Sequence, residues 1–226
     1  MKTKYNIVAV VGVKGDSERV PKKNIRPFAD TTLLELKIKQ LINSGSVDKI
    51  VVSSESEIAL NIASSFDEVL IHRRDHYYST SHVPMSEVYA HVASEIECEH
   101  IMWSQVTSPL TGPSIYKDAI NAYRNLDNKF DCLLSCVNVN EYLLKDHKPI
   151  NFSRTPWQKS QDLKDVKALS FSINILRKEN LIKWGSLVGL NPYYIELNKE
   201  TSMDIDDIYD FNLCESIYKQ DPNKFI

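Results

Sequence analysis

The sequence of this 226-residue chain lacks the features typical of disulfide-rich, zinc-binding, secreted and membrane-spanning proteins. Its four cysteines form no CxxC pair and no histidine cluster has zinc-ligand spacing, so we expect buried, reduced thiols rather than a disulfide framework or a zinc centre. No stretch approaches the ~18 apolar residues of a membrane span, and the first apolar run is too short for a signal peptide. We therefore predict a soluble, cytoplasmic protein.

An excess of charge of one sign is also absent. The chain has 27 basic and 30 acidic residues mixed along its length, with a net charge of −3. This balance argues against a general nucleic-acid or membrane-surface binder. The length suffices to bury a core without a metal or disulfide staple, and it fits one domain over residues 1–226.

Strand-length apolar runs alternate with amphipathic, helix-length segments. Strands are predicted at residues 7–13, 49–53, 69–72, 100–104, 131–139, 169–176 and 193–197. Helices are predicted at residues 32–44, 55–66, 84–97, 114–126 and 208–218. Alternation of this kind with continuous apolar strands is typical of an α/β fold whose parallel sheet is covered by helices on both faces.

The segment of about residues 140–167 interrupts this alternation. It is polar, contains Pro149 and Pro156, and shows no clear periodicity. A segment this long without periodicity is commonly a functional lid, an interface arm or an inserted hairpin.

The loop after the first predicted strand is crowded with positive charge. The run IVAVVGVKGDSERVPKKNIRPF, residues 7–28, contains Lys14, Arg19, Lys22, Lys23 and Arg26. It matches neither the Walker A pattern nor GxGxxG. Ligands of open α/β sheets bind outside the carboxyl ends of the strands, where such cations can balance a polyphosphate. An exposed basic loop without a ligand is the alternative.

A short acidic run near the end of the chain contains two carboxylates at spacing two. In SMDIDDIYDF, residues 202–211, Asp204 and Asp206 project to the same face if the segment is extended. Two such carboxylates repel each other unless a cation such as Mg²⁺ lies between them. The alternative is a solvated helix start, and we expect Asp207 to act as a helix cap.

A third stretch, WSQVTSPLTGP, follows the predicted strand at residues 100–104. It places the polar side chains of Gln105, Thr107 and Ser108 where the sheet meets its ligand crevice. By itself, Thr-Ser-Pro is also a common entry to a helix.

Together the three stretches resemble the acylneuraminate cytidylyltransferases, which make CMP-activated sialic acids and related 3-deoxy-ulosonic acids. KGDSERVPKKN at residues 14–24 is similar to the family's R-x-x-S-K-x-x-P-x-K-N. QVTSPLT at residues 105–111 is similar to QPTSPLR, and SMDIDD at residues 202–207 to S-I-D-I-D-T. Order and spacing agree over nearly the whole chain.

The resemblance implies a three-layer, Rossmann-like nucleotidyltransferase domain in which CMP passes from CTP to the anomeric hydroxyl of an acidic sugar. It implies Mg²⁺ or Mn²⁺ on Asp204 and Asp206, and a homodimer formed through the arm at residues 140–167. The catalytic residues implied are Lys14, Lys23, Asp204 and Asp206. The nucleotide-binding residues implied are Lys14, Gly15, Ser17, Arg19, Lys23, Asn24, Arg73, Thr80 and Ser81. Sugar contacts are implied for Gln105, Thr107 and Ser108.

Several positions depart from the family pattern. Lys14 replaces Arg, Glu18 replaces Lys, Glu55 replaces Asp, and Thr111 replaces Arg. A cytidylyltransferase for Kdo or for a legionaminate- or pseudaminate-like sugar therefore stays open, as does a nucleotide-binding homologue without turnover. The six histidines show no catalytic spacing, and surface or packing roles are expected for all of them.

Overall fold

The computed structural model describes residues 6–226 of the chain. Its strands are β1 (Ile7–Val13), β2 (Pro27–Phe28), β3 (Thr31–Thr32), β4 (Lys49–Ser54), β5 (Val69–Arg73), β6 (His100–Ser104), β7 (Cys132–Asn138), β8 (Leu144–Lys145), β9 (Lys148–Pro149), β10 (Lys167–Arg177) and β11 (Pro192–Glu196). Its α-helices are α1 (Leu33–Ser44), α2 (Glu57–Ala63), α3 (Met85–Glu95), α4 (Pro113–Arg124), α5 (Lys178–Trp184) and α6 (Ile208–Gln220). Short 3₁₀ helices lie at His76–Ser79, Ser160–Asp162 and Pro222–Lys224.

Seven strands form one sheet in the order β11-β7-β10-β6-β1-β4-β5. All adjacent pairs are parallel except those made by β10, which is antiparallel to both β6 and β7. The prediction of a mostly parallel α/β sheet is therefore confirmed. The connection from β7 to β10 contains no α-helix, and without a helical crossover a neighbouring strand returns antiparallel.

Helices cover both faces of the sheet, as the continuous apolar strands predict. Along β1, Ala9 and Val11 belong to a core with apolar residues of α1 and α4, whereas Val8 and Val10 pack in a second core with residues of α3 and α5. This alternation follows from the two-residue period of a strand. Burying each such aliphatic side chain stabilises the fold by about 1.5–3 kcal/mol.

The ends of α1 show how local chemistry sets an element boundary. The Thr32 side chain accepts a hydrogen bond from the Glu35 N–H at the helix start. At the other end, Gly45 adopts φ 57°, a left-handed conformation that glycine enters without a Cβ clash. Thr32 was predicted as the first helical residue and is instead the cap.

The structure adds elements that the sequence pattern did not predict. They are α5, which ends at Gly185 with φ 57°, and the two-residue strands of the β2–β3 and β8–β9 hairpins. Of the predicted helices, that at residues 55–66 shortens most, to Glu57–Ala63, because the Ser56 side chain caps its start.

The segment at residues 140–167 contains the β8–β9 hairpin, whose turn residues Asp146 and His147 both have positive φ. An exposed aromatic group lies on the same arm. Tyr142 stacks on Trp157 with ring centroids 5.0 Å apart, and Phe152 contacts both rings. The Trp157 side chain is 65% exposed. The inserted hairpin is thus present, and the dimer role stays a prediction.

None of the helices within residues 6–226 combines the length and the apolar composition that crossing a membrane requires.

The chain leaves β1 and β6 in opposite directions across the sheet. After β1 it continues to β4 on one side, and after β6 the following strands all lie on the other side. Such a switch point between adjacent parallel strands opens a crevice at their carboxyl ends. The loops that begin at Lys14 and at Gln105 lie there.

Candidate active site

A side-chain hydrogen bond joins the two ends of the basic loop that follows β1. The Asn24 side-chain amide donates to the carbonyl oxygen of Lys14 at 3.1 Å, which joins the two ends of the loop. Asn24 is buried, and its Oδ1 atom has no hydrogen-bond partner within residues 6–226. Lys14 and Arg19 are left exposed between these anchors. The loop therefore presents its cations on a defined backbone.

Gly15 is held against the start of α2. Its N–H donates to Glu55 Oε1 at 2.8 Å, and a Cβ at this position would lie 2.6 Å from the Ser56 Cβ. Only glycine fits this approach. Burial alone would raise the pKa of Glu55, but the Gly15 N–H and the Ser79 hydroxyl, with the charge of Arg74, bring that pKa below its ordinary value.

Lys23 joins the basic loop to the acidic segment, 182 residues away in sequence. Its Nζ donates to the carbonyl oxygen of Ile205 at 2.5 Å. Partial burial lowers the pKa of Lys23, and the nearby Arg19 adds to the effect, while the carboxylate of Asp204 opposes it. The half-buried ammonium group of Lys23 therefore lies between the basic loop and the acidic segment.

The acidic segment belongs to no strand of the sheet. The Ile205 N–H donates to the carbonyl oxygen of Thr107 at 2.9 Å, and the Ile205 side chain is buried. Asp204 and Asp206 on either side of it are exposed. The predicted alternation of side chains therefore holds for both carboxylates.

Electrostatics distinguish the two aspartates. Desolvation by the surrounding loops raises the pKa of Asp204, as does the charge of Asp206, whereas the Thr107 hydroxyl and Lys23 oppose the shift. Asp206 instead forms an exposed ion pair, with its Oδ1 2.8 Å from Arg19 Nη2. Repulsion between the two carboxylates is what a bound cation would relieve.

Asp207 and Asp210 close the start of α6. The Asp207 side chain accepts from the N–H groups of Tyr209 and Asp210, and the Asp210 side chain accepts in return from those of Asp206 and Asp207. The prediction that Asp207 caps this helix is confirmed. The Asp210 carboxylate also holds the backbone N–H of Asp206.

Two adjoining cavities lie at this end of the sheet. The larger, of about 670 Å³, is lined by the basic loop and by Ser79, Thr80 and Ser81. The smaller, of about 230 Å³, is lined by Gly12, Gln105 and Thr107 among others. Both are lined by Lys14, Ser17, Lys23, Tyr78, Met85 and Val88. They form one cleft with two lobes.

Nine of the fourteen predicted site residues line this cleft, and Gly15, Arg73, Ser108, Asp204 and Asp206 line neither lobe. Asp204 and Asp206 lie beside the cleft, on the segment that Lys23 and Arg19 contact. Arg73 forms an exposed ion pair with Glu57 and lines neither lobe. Ser108 is completely buried and lines neither lobe, and its carbonyl oxygen accepts from the Lys37 ammonium group. Ser81 lines the larger lobe and donates to Glu18 Oε1 at 2.9 Å.

Sequence reasoning missed Arg74, the residue next to Arg73. Arg74 is buried and donates to the carbonyl oxygen of Val13 at 2.8 Å, and it lies 3.0 Å from Glu55 Oε2. It lines the smaller lobe. Two consecutive arginines after a strand point to opposite faces, and the sequence alone does not say which one faces inward.

Lys37, in α1, is a second residue that the sequence analysis missed. It is completely buried, donates to Ser108 O at 2.8 Å, and its Nζ lies 2.5 Å from the Tyr116 hydroxyl. Burial lowers its pKa to about 7, against the opposing charge of Asp204. This lysine supports the loop at residues 105–108 from beneath.

Another cavity, of about 400 Å³, lies at the opposite end of the sheet. It is lined by Asn6, His100 and Arg177 among others, at the amino ends of β1 and β6. Parallel α/β sheets bind ligands at the carboxyl ends of their strands, and this cavity contains none of the predicted site residues. The two-lobed cleft is therefore the candidate active site.

Cations and a carboxylate pair near the carboxyl ends of the central strands of a mostly parallel α/β sheet are suited to nucleotidyl transfer. The chain belongs to the cytidylyltransferase family, whose model, described as "Cytidylyltransferase", matches residues 8–206. The enzyme class predicted from the sequence is thereby confirmed.

Named relatives are similar to the chain over most of its length. A pseudaminic acid cytidylyltransferase of Campylobacter jejuni is 24% identical and covers 94% of this chain and 96% of its own length. An N-acylneuraminate cytidylyltransferase of Escherichia coli is 25% identical over 97% of this chain, which spans only 53% of that protein.

Solved structures share the fold at low sequence identity. The CMP:2-keto-3-deoxy-manno-octonic acid synthetase complexed with CTP superposes with a TM-score of 0.67 at 12% identity, covering 95% of this chain and 99% of that one. The 4-diphosphocytidyl-2C-methyl-D-erythritol synthase of Anaerococcus prevotii gives 0.69 at 10% identity, covering 95% and 98%. These neighbours support the three-layer nucleotidyltransferase architecture.

Proposed function

We propose that this protein transfers CMP from CTP to the anomeric hydroxyl of a sialic-acid-like 3-deoxy-ulosonic acid and releases pyrophosphate. The observation that carries the proposal is the hydrogen bond from Lys23 to the Ile205 carbonyl oxygen. It joins the basic loop, suited to a triphosphate, to the segment that presents Asp204 and Asp206. A nucleotide-binding protein without turnover has no evident need for this junction.

The larger lobe suits the triphosphate of CTP. Lys14, Arg19 and Lys23 line it and supply charge against the phosphates, and the Ser17 hydroxyl lies beside them as a hydrogen-bond donor. The Gly15 N–H is already engaged by Glu55, so Gly15 contributes by shaping the loop rather than by donating to phosphate. Thr80 and Ser81 lie on the far wall of the same lobe.

The acidic segment fits a magnesium or manganese ion. Asp204 and Asp206 offer the hard oxygen ligands that Mg²⁺ prefers, and Mg²⁺ commonly uses one or two carboxylates together with substrate phosphates. Desolvation by the neighbouring loops and the charge of Asp206 raise the pKa of Asp204, and a bound cation would relieve the repulsion between the two carboxylates. When bound, such an ion would offset phosphate charge and acidify the attacking hydroxyl.

In the proposed reaction the bond between the anomeric oxygen and the α-phosphorus forms, the bond to the pyrophosphate oxygen breaks, and the hydroxyl proton is released. No covalent enzyme intermediate is needed, so the residues act by positioning and by neutralising charge. Lys23, at the junction of the lobes, serves the α-phosphate, and Lys14 serves binding and the leaving group.

The smaller lobe suits the acceptor sugar. Gln105 and Thr107 line it with polar side chains, together with the buried Arg74, whose guanidinium is paired with Glu55. Thr111, in place of the family arginine, is buried and donates to the Thr201 carbonyl oxygen, so it makes no sugar contact in this arrangement. The name of the Campylobacter jejuni relative favours a pseudaminate-like sugar as the second candidate acceptor.

We also propose a cytoplasmic homodimer that uses the arm at residues 140–167, since CTP is a cytoplasmic nucleotide and the arm carries exposed aromatic rings.

The direct test is pyrophosphate release from CTP in the presence of Mg²⁺, measured over a panel of N-acetylneuraminate, legionaminate, pseudaminate and Kdo. We expect turnover with one nine-carbon acid and little with the eight-carbon Kdo. CTP binding without pyrophosphate release from any acceptor would establish the non-catalytic homologue instead.

A further inference from the structure

A cluster of metal-ligating side chains lies outside the cleft, at the edge of the sheet. His72 lies in β5, and His91 and Glu95 lie one turn apart in α3. One ligand atom from each of the three residues lies within 4.8 Å of the other two. His72 Nε2 is 2.6 Å from Glu95 Oε2, and His91 Nδ1 is 3.7 Å from Glu95 Oε1.

The neighbours of His72 hold its ring as a metal ligand requires. Its Nδ1 is 2.9 Å from the hydroxyl of the completely buried Ser53. If this nitrogen donates its proton to Ser53 Oγ, the lone pair of Nε2 faces the Glu95 carboxylate. A hydrogen bond of this kind on the second ring nitrogen is what orients ligating histidines in metalloproteins.

The ring of His91 is also held in place, and the Glu95 carboxylate is accessible to an ion from solvent. The ring of His91 stacks on Tyr78 with centroids 3.8 Å apart and planes at 8°. The side chains of His72 and His91 are only 12% and 17% exposed, whereas that of Glu95 is 49% exposed. Two positioned imidazoles therefore meet an accessible carboxylate.

The donor set selects the class of ion. Two imidazole nitrogens and one carboxylate oxygen suit Zn²⁺ and related transition metals, whereas Mg²⁺ and Ca²⁺ prefer oxygen alone. Ligands at about 2.0–2.1 Å from a tetrahedral Zn²⁺ are separated from each other by about 3.3 Å. The two histidines now contact different carboxylate oxygens, at 2.6 Å from Oε2 and 3.7 Å from Oε1, so side-chain rotations bring all three ligands around one ion.

We propose that His72, His91 and Glu95 form a binding site for one Zn²⁺ ion, separate from the carboxylate pair at Asp204 and Asp206. The ion lies between His72 Nε2 and the Glu95 carboxylate and links the edge strand β5 to α3. Since Tyr78 stacks on one ligand ring and also lines both lobes of the cleft, the site adjoins the active site without sharing a residue with it.

The test uses the full, untagged chain after treatment with a chelator, titrated with ZnCl₂ by calorimetry and with CoCl₂ by visible absorption. We expect one equivalent of Zn²⁺ and the absorption bands of tetrahedral Co²⁺. A millimolar excess of Mg²⁺ should not displace either ion. Zn²⁺ should also raise the thermal midpoint, because an ion that binds only the folded state stabilises it.

The Zn²⁺ affinities of single-residue variants test which side chains bind the ion. Glu95→Gln, at a half-exposed position, and His72→Gln should each weaken Zn²⁺ binding by about 10-fold or more. His82→Gln, which removes an exposed histidine outside the cluster, should bind as the wild type does. Asp206→Asn should also bind Zn²⁺ normally. Circular dichroism of each metal-free variant separates lost binding from lost folding.

Absence of stoichiometric Zn²⁺ binding to the wild type overturns the proposal. Equal affinity in wild type and Glu95→Gln overturns it as well, even if His72→Gln does not fold. Loss of binding in Asp206→Asn alone would assign the ion to the carboxylate pair of the cleft instead.

Discussion

Arg19 Nη2 lies 2.8 Å from Asp206 Oδ1, so a cation proposed to bind phosphate and a carboxylate proposed to bind metal neutralise each other across the mouth of the cleft. Both side chains are exposed, and such a pair contributes about 0–1 kcal/mol. CTP and a metal ion can therefore separate the two residues at little cost, with each residue taking its own ligand.

Removing the Arg19 side chain should weaken the apparent binding of CTP and strengthen that of Mg²⁺. Arg19→Gln should raise the KM for CTP several-fold because a phosphate partner is lost. The same variant should lower the Mg²⁺ concentration for half-maximal rate, because Asp206 no longer has a competing cation. Steady-state kinetics at varied CTP and Mg²⁺ measures both, with Arg73→Gln, outside the cleft, as the matched control. A parallel rise in both constants contradicts the idea.

Asp206 should be required for turnover. Asp206→Ala removes one ligand of the proposed ion, whose stabilisation of the transition state is worth several kcal/mol, so kcat should fall by about 10²-fold or more. Asp207→Ser is the control, since it removes the adjacent charge but retains a good helix cap. Full activity in EDTA, or an unimpaired Asp206→Ala enzyme, excludes the metal assignment.

Lys14 and Lys23 of the basic loop should differ in their kinetic roles. Lys23→Ala should lower kcat by about 10²–10³-fold, because a partner of developing charge is lost. Lys14→Arg should be tolerated or beneficial, since arginine offers phosphate a bidentate fork. CTP should be preferred over ATP, GTP and UTP by the wild type. The control is Lys22→Asn, because Lys22 has φ 55° and asparagine tolerates that conformation. Wild-type kcat in Lys23→Ala would falsify this role.

The buried Lys37 should make stability depend on pH. Its pKa is about 7 in the folded protein and near 10.5 when unfolded, so between these values the unfolded chain binds the extra proton. Stability therefore rises with pH above about 7, by up to about 1.4 kcal/mol per unit, and is insensitive to this group below it. Urea unfolding should show wild type gaining about 1.5 kcal/mol over Lys37→Met between pH 7 and pH 8.5.

The measurement ends at pH 8.5 because ionisation of the cysteine thiols at higher pH opposes the effect of Lys37 on stability. Burial raises the pKa of the Cys98 and Cys132 thiols to about 11, and these groups lower stability as pH rises above 9. The same dependence on pH in wild type and Lys37→Met is the outcome that rules out the lysine as its source.

The arm should carry the subunit contact. Trp157→Glu places a charge beside the rings of Tyr142 and Phe152 and should shift the dimer toward monomer by about 10-fold or more in dissociation constant. Leu190→Glu, at a 79% exposed position outside the arm, should leave assembly unchanged. Sedimentation velocity measures both, and a wild type that is monomeric at micromolar concentration contradicts the prediction.

Much of this protein can be derived from local sequence pattern alone. Hydrophobic periodicity predicted β1 and β6 with their observed ends, and it predicted helices on both faces, because a strand buried on both sides must be apolar throughout. The charge of the loop after β1 likewise predicted one wall of the cleft, and the spacing around Ile205 predicted the two exposed carboxylates beside it. These features depend on residues close to one another in the chain.

Only the tertiary structure decided features that depend on distant neighbours. The direction of β10 follows from a connection without a helix, and the inward side of the Arg73–Arg74 pair follows from the position of Glu55. The burial of Lys37 and Ser108 depends on how α1 packs beneath the loop after β6. His72 meets His91 and Glu95 because β5 lies beside α3, a juxtaposition that no local spacing encodes.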